Sequence, residues 1–367
     1  MQGFALPARY LRWNPENQSS RPSLKIFADE EIVYSGLQGS TVESAAAPAP
    51  IRLLGESAAH SIFHEPWWLD IATDGHWSMA KVQRGNELLG QMPYYSTRMG
   101  GWRISRLPPL TRTLGPVIKP MGFDCARERR HRQIVTAALV EQLPQFDSFY
   151  QLFDSRIEDA LAFSLRGFTV SARYTFQISP EGTIDEAWAR LYGKTRNVIR
   201  SAGKKLTVAP IATPAKFMQF YETNLFERAR SNAYGSSVMR QLVDAFVERK
   251  TGQLLGAYGP GGQLVAAIGL VWDQHAMYYL LSSRTAGAHC GAVSLLIWTA
   301  MQRALERKLT FDFDGFSSVG TCRFLEGFGG TLKQRLSVER MSTMYSVVRT
   351  LKRRIVSSSG TVFAHTL

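Results

Sequence analysis

FDFDGFSSVGTCRFLEGFGG, residues 311–330, decides how this chain is read. It opens as a strand, breaks into small and polar residues, and resumes as a short amphipathic helix ended by glycine. An earlier stretch has the same build. Phe153-Asp154 stands 160 positions before Phe313-Asp314, and Leu165-Arg166-Gly167-Phe168 stands 160 before Leu325-Glu326-Gly327-Phe328. In both copies a strand carries aspartate at its C-terminal end, a helix follows, a glycine stops it and another strand begins. The hairpins upstream align as well, RGNELLGQMPYY (84–95) with GGQLVAAIGLVW (261–272). A long-period repeat in fixed order predicts a duplicated domain, and it puts 311–330 where α/β sheets keep ligands, beyond the carboxyl ends of strands.

Around that repeat the chain divides by texture. Residues 1–50 are rich in Ser, Pro, Ala and Gly, with one strand-like run, LKIFADEEIVYSG, and read as a partly mobile extension. Strands and helices alternate over 51–182 and again over 183–340. The predicted class is α/β (α+β), two tandem domains of mixed twisted sheet flanked by helices. The spacing predicts helices over 157–167 and, as one long element, 183–206. A basic helix and tail, 341–367, closes the chain.

Composition bounds the function. Of 367 residues, 45% are hydrophobic and 20% charged, which suits a core-forming chain. Forty-three Lys and Arg against 30 Asp and Glu give a net charge of +13, which favours an anionic partner or a generally basic surface. Three scattered cysteines have neither zinc-ligand nor disulfide spacing, so free thiols and a cytoplasmic location are expected, with no metal. The N-terminus, with Arg9, Arg12 and Pro15, lacks the apolar run of a signal peptide, and the longest apolar run, 264–272, is too short to span a bilayer.

These elements resemble the FemAB-like branch of the GNAT acyltransferase superfamily, whose members carry two GNAT domains in tandem. The resemblance covers roughly 60–340. It rests on FHEPWWLDIA (63–72) with the hairpin and LPPLTRTLGPVI (107–118), on the basic helix LYGKTRNVIRSAGKKL (191–206), on the glycine-led helix 291–306, and on FDFDG followed by FLEGFGG. It implies an N-acyltransferase that takes an acyl group from an activated carrier, acyl-CoA before aminoacyl-tRNA. The acceptor would be the amine of a small molecule, amino sugar or cell-envelope precursor. An aminoacyl-tRNA-dependent, FemX-like amide-forming transferase of peptidoglycan or secondary metabolism is the second reading, and a non-catalytic polyanion-binding protein the third. No DNA partner is expected. Relatives that use tRNA commonly carry Lys after the Phe of the last block; this chain has Leu325 after Phe324, and Arg323 offers charge only from a neighbouring direction.

Acyl transfer needs a bound amine, a base and stabilisation of an oxyanion. Asp314 is the leading acid/base candidate, since a carboxylate at a buried strand end can be held protonated; Asp312 lies two residues earlier, and either could instead cap the turn. Tyr279, with Tyr278, could protonate a leaving thiolate, as could Tyr94 and Tyr95, which also suit an acceptor cleft with Trp67 and Trp68; all could equally be core. Arg284, Gly287, Ala288 and Gly291 loosely follow the GNAT pyrophosphate loop at a helix N-terminus, and His289 breaks its last position. Lys194, Arg196, Arg200 and Lys204 belong to an acid-free basic helix that either binds phosphate or forms a solvated face. In MSTMYSVVRTLKRRIVSSSG (341–360) apolar residues at helical spacing and four cations suit a docked helix, RNA or peripheral membrane contact.

Overall fold

The computed structural model describes residues 37–39, 43–44 and 60–358. The first half carries β1 (Leu37–Gly39), β2 (Glu43–Ser44), a 3-10 turn (Ile62–His64), α1 (Pro66–Thr73), β3 (Trp77–Arg84), β4 (Glu87–Tyr95), β5 (Thr97–Met99) and β6 (Trp102–Ser105). It continues through β7 (Val117–Ile118), α2 (Cys125–Glu141), β8 (Ser148–Leu152), α3 (Leu161–Ser164) and β9 (Thr169–Ile178). The second half runs α4 (Ile184–Arg190), α5 (Gly193–Gly203), β10 (Thr207–Pro210), α6 (Pro214–Phe226), α7 (Ser236–Glu248), β11 (Gly252–Tyr258), β12 (Leu264–Trp272) and β13 (Ala276–Arg284). It ends with α8 (Ala292–Glu306), β14 (Thr310–Asp312), α9 (Val319–Glu326), β15 (Thr331–Met341) and α10 (Thr343–Ser358).

Two sheets result. The smaller has the order β1-β3-β4-β7 with β2 also on β3; the larger has ten strands in the order β10-β11-β12-β13-β14-β9-β15-β8-β6-β5. The repeat is visible in it. β13 pairs parallel to β14, and β6 pairs parallel to β8. β9 and β15 lie antiparallel at the centre, from Thr331 opposite Gln177 to Glu339 opposite Thr169. β9 also pairs with β14, and β15 with β8, so each half lends its last strand to the other. The last strands of 51–182 and 183–340 are thus exchanged across the boundary expected between them. The shared pair therefore welds the lobes through backbone hydrogen bonds as well as side-chain packing.

The three larger of four apolar clusters among the described residues fill the layers. One joins α8 to Phe176 and Phe311 of the central strands and to Phe313 and Phe328 in the segments that follow β14 and α9. A second belongs to the first lobe, with Val135 and Leu139 of α2 against Phe149, Phe153 and Phe163. The third crosses between halves: Phe63 of the 3-10 turn and Trp68 of α1 pack among Phe217, Met239, Phe246 and Tyr278.

Several expectations are corrected. The long helix over 183–206 breaks at Leu191 and Tyr192, whose ψ angles of 141° and 145° are extended. Its break holds a contact: the Tyr192 N–H donates to Gly327 O at 2.9 Å. This accounts for Gly329 of FLEGFGG. Gly329 sits at φ +71°, and a Cβ there would lie 2.4 Å from Arg190 O, so the residue after α9 must be glycine for the α4–α5 break to close on it. In the first copy the helix over 157–167 shrinks to Leu161–Ser164. The run LKIFADEEIVYSG and most of the N-terminal extension lie outside the described residues, and those described, 37–39 and 43–44, are strands on β3.

Candidate active site

Beyond Tyr278 opposite Asp312, β13 and β14 have no further paired residues, while β13 runs on to Arg284. A register shift between Gly269 and Leu270 leaves Leu280 of β13 without a partner on β12. The Leu280 carbonyl instead accepts a 2.8 Å hydrogen bond from Arg112 Nη2. The other side of that guanidinium is ion-paired: Arg112 Nε lies 2.6 Å from Asp314 Oδ2. Arg112, in the first-half loop after Pro108-Pro109, thus ties the strand bulge to the leading carboxylate. Sequence reasoning missed it; within the loop PLTRTLGP (109–116) an arginine carries no periodic signal.

Asp314 holds φ +66°, uncommon for a side-chain-bearing residue. Its side chain is only 6% exposed. Burial pushes its pKa up to about 6, against the pull of Arg112 and of Arg335, whose Nη1 lies 3.6 Å from Oδ1. Asp314 Oδ1 has no hydrogen-bond partner. That oxygen is held only by the longer ion pair to Arg335. Asp312 differs. Its oxygens accept from Thr175 Oγ1 at 2.7 Å, the Asp314 N–H at 2.7 Å, Gln177 Nε2 at 2.6 Å and Arg335 Nη2 at 2.8 Å. Four donors leave it no vacancy: it builds the floor under Asp314, fixing the neighbouring backbone and β9 together.

The first copy sets a contrast. Asp154, the counterpart of Asp314, is also buried, which alone would raise its pKa, but Arg156 two residues on grips both oxygens at 2.7 and 3.1 Å and holds it below the ordinary carboxylate value. At the position matching Arg156 the second copy has Phe316. Twin carboxylates are driven apart by their surroundings, the arrangement that separates a working acid/base from a structural anion.

The helix starts differ likewise. α2 of the first lobe is sealed by Asp124, whose Oδ1 accepts from the N–H groups of Ala126 and Arg127 at 3.0 Å each. α8, its counterpart, begins after Gly291 with no side-chain cap from that residue. The carboxylate at α2 repels an anion; the start of α8 does not. Of the loop residues, Arg284, Gly287 and the intermediate Ala288 lie on the surface near this turn. Gly291 has another role. Its N–H donates to His289 Nδ1 at 3.0 Å, and a Cβ on it would lie 2.6 Å from Val198 O, so it exists to let α8 meet α5.

The remaining candidates scatter. Tyr279 packs on the α8 side of the sheet, its hydroxyl raised by burial to about 12. Arg323 is exposed on α9. Trp68 is fully buried, with Nε1 donating to Thr111 Oγ1 at 3.0 Å, and Tyr94 is buried in the first-lobe core; both are corrected to core residues. Trp67 and Tyr95 are half-buried, and Trp67 lines a cavity away from Asp314. On α5, Arg196 Nη1 donates to Ala189 O at 2.8 Å and Arg200 stacks over Trp188 at 5.3 Å, which leaves Lys194, Lys204 and Lys205 exposed. The described residues hold no cluster of acidic, His or Cys side chains able to bind a metal.

Residues 193–321 match the acetyltransferase (GNAT) domain family. The whole described fold is similar to the crystal structure of FemX, with a TM-score of 0.60 at 12% identity over 81% of this chain and 96% of that one. The chain has the two-lobed GNAT fold. Weaker likeness extends to L-PGS from Bacillus licheniformis, at a TM-score of 0.48 and 11% identity over 83% and 94% of the two chains. A tandem GNAT protein of the clavulanic acid pathway gives 0.43 and 10% over 72% and 82%. No curated protein sequence matches. The GNAT match spans α5 through the start of α9 and so includes β13, the α8 start and Asp314, the half in which the strands part.

Proposed function

We propose that this protein is an N-acyltransferase whose second lobe holds an activated acyl donor, acyl-CoA, between β13 and β14. The parting of these strands beyond Tyr278–Asp312, beside an α8 start without a capping carboxylate and near the raised carboxyl of Asp314, is the observation that carries the reading. The donor's phosphates would lie by α8 with Arg284, and the unpaired edge of β13 would offer N–H groups to the oxyanion. Asp314 takes a proton from the acceptor amine, the nitrogen attacks the thioester carbonyl, a C–N bond forms, and the C–S bond breaks. Tyr279, on the same strand, would protonate the departing thiolate. The acceptor is the amine of a small molecule, amino sugar or envelope precursor, and the protein is cytoplasmic.

A CoA donor is favoured over aminoacyl-tRNA by Leu325, which is 2% exposed and part of the α8 core. The position where tRNA-using relatives carry lysine is here apolar packing, and two of the α5 cations already have partners within the fold. The test is thermal unfolding with CoA. At a hundredfold excess over Kd, binding stabilises by about 2.7 kcal/mol, and Arg284→Glu removes most of that gain. No change of Tm across an acyl-CoA panel, with protection by tRNA instead, would transfer the case to the aminoacyl-tRNA reading; salt-sensitive polyanion binding without turnover would leave a non-catalytic protein.

A further inference from the structure

At the other end of β13 from Asp314, a cavity of about 750 Å³ opens, its lining including His60, Trp67, Arg249, Thr251, Trp272 and His275. Asp273, in the β12–β13 turn, builds it. Its Oδ1 accepts the N–H groups of His275 and Ala276 at 2.8 and 2.9 Å. Its Oδ2 accepts the Ile62 N–H at 3.1 Å and the Tyr278 hydroxyl at 3.2 Å. One carboxylate thus fixes the turn bearing His275 and the segment bearing His60, drawn from opposite halves of the chain.

The cavity gathers unmet hydrogen-bonding groups. His60 is 7% exposed, and its Nε2 has no partner; His275 Nε2 and Thr251 Oγ1 are likewise buried and unpaired. Buried polar atoms are ordinarily satisfied, so three around one cavity mark a place where something else supplies the partners. Charge narrows what that is. Glu65 and Asp273 line the cavity together with Arg249, which lies over one face of Trp67 at 5.0 Å, and with Trp272, one face of which Arg307 covers at 4.3 Å. An anion would meet the carboxylates and a cation the guanidinium groups. Burial holds His60 below its ordinary pKa, so it is neutral near pH 7. A neutral imidazole and a hydroxyl each donate and accept, as do the hydroxyls of a sugar, and the half-buried indoles of Trp67 and Trp272 offer apolar walls to C–H faces.

We propose that this cavity binds a neutral, hydroxyl-rich ligand, a saccharide of one or a few pyranose rings, at a site separate from the acyl-transfer centre. Its size is that of an ordinary small-molecule site with room for more than one ring. The site stands whether or not the chain transfers acyl groups, because binding is measured without a donor.

Isothermal titration of the full chain with glucose, N-acetylglucosamine, cellobiose and chitobiose tests it, with citrate and spermidine as charged probes. At least one sugar is expected to bind saturably, and about tenfold more weakly to Thr251→Val and to His275→Ala, the loss of one hydrogen bond. Asp314→Asn should bind as wild type. Thr251→Val changes one atom's chemistry at constant shape, so it reads the site even if the histidine variant unfolds. Absence of sugar binding, saturable binding of citrate or spermidine alone, equal affinity in Thr251→Val, or sugar binding lost in Asp314→Asn each overturns the proposal.

Discussion

Asp314→Asn converts the contrast between the twin aspartates into a measurable pH dependence. Asp314 titrates near 6 in the fold against an ordinary 3.8. At about 1.4 kcal/mol per pH unit, that displacement amounts to about 3 kcal/mol. The folded pKa is raised, so the folded state holds the proton more tightly than the unfolded chain. The stabilisation is fully present below about pH 4 and is lost as pH rises through about 6. Asparagine cannot titrate. The stability of Asp314→Asn relative to wild type should therefore climb by about 3 kcal/mol between pH 4 and pH 7 and level off above, read from urea midpoints at constant m-value.

Asp154→Asn supplies the opposite sign. Its pKa lies below 3.8, so its contribution is present at neutral pH and is lost only as pH falls through the folded value. Removing it strands the Arg156 guanidinium and should cost about 3–5 kcal/mol at pH 7, with the deficit shrinking on acidification. If both variants show the same slope, or Asp314→Asn shows none between pH 4 and 7, the two carboxylates are not driven apart and Asp314 loses its claim as base. In an active preparation, kcat/KM should also rise through about pH 6 in wild type and lose that limb in Asp314→Asn.

Two further outcomes follow from packing and from the C-terminal helix. Gly291→Ala places a Cβ 2.6 Å from Val198 O and 2.7 Å from Val198 Cγ1, so α5 and α8 must separate; a loss of about 1–3 kcal/mol in thermal or chemical unfolding is expected, and an unchanged Tm refutes the close approach. On α10, Tyr345 packs edge-on against Trp102 and Arg349 pairs with Glu339 at 2.8 Å, while Met344, Val347 and Leu351 stay more than half exposed. With no acidic residue after Glu339, the helix should carry the protein onto phosphatidylglycerol vesicles and not onto phosphatidylcholine, and Leu351→Glu with Val347→Glu should abolish sedimentation; equal recovery on both vesicles, or none, counts against a membrane contact.

The repeat was legible because its strongest signals are local: apolar runs ending in aspartate, and glycines where a helix must stop. The strand 331–341 and the hairpin around 259–262 are readable for the same reason. The exchange of β9 and β15 was not, because a strand's sequence specifies an apolar face and says little about which neighbour it pairs with. The break at Leu191–Tyr192 was hidden too: both residues suit a helix, and it is the approach of Gly327 and Gly329, more than a hundred positions away, that favours the extended form. At the site, Asp314 was found from its place at a strand end, yet its chemistry depends on Arg112 and Arg335, which arrive from a first-half loop and from the exchanged strand. The same aspartate in the first copy meets Arg156 two residues on and becomes a fixed anion. Sequence adjacency thus made the carboxylate held low, and long-range assembly made the one pushed up. That asymmetry is the physical reason to seek the reaction in one lobe of a duplicated fold and not in both.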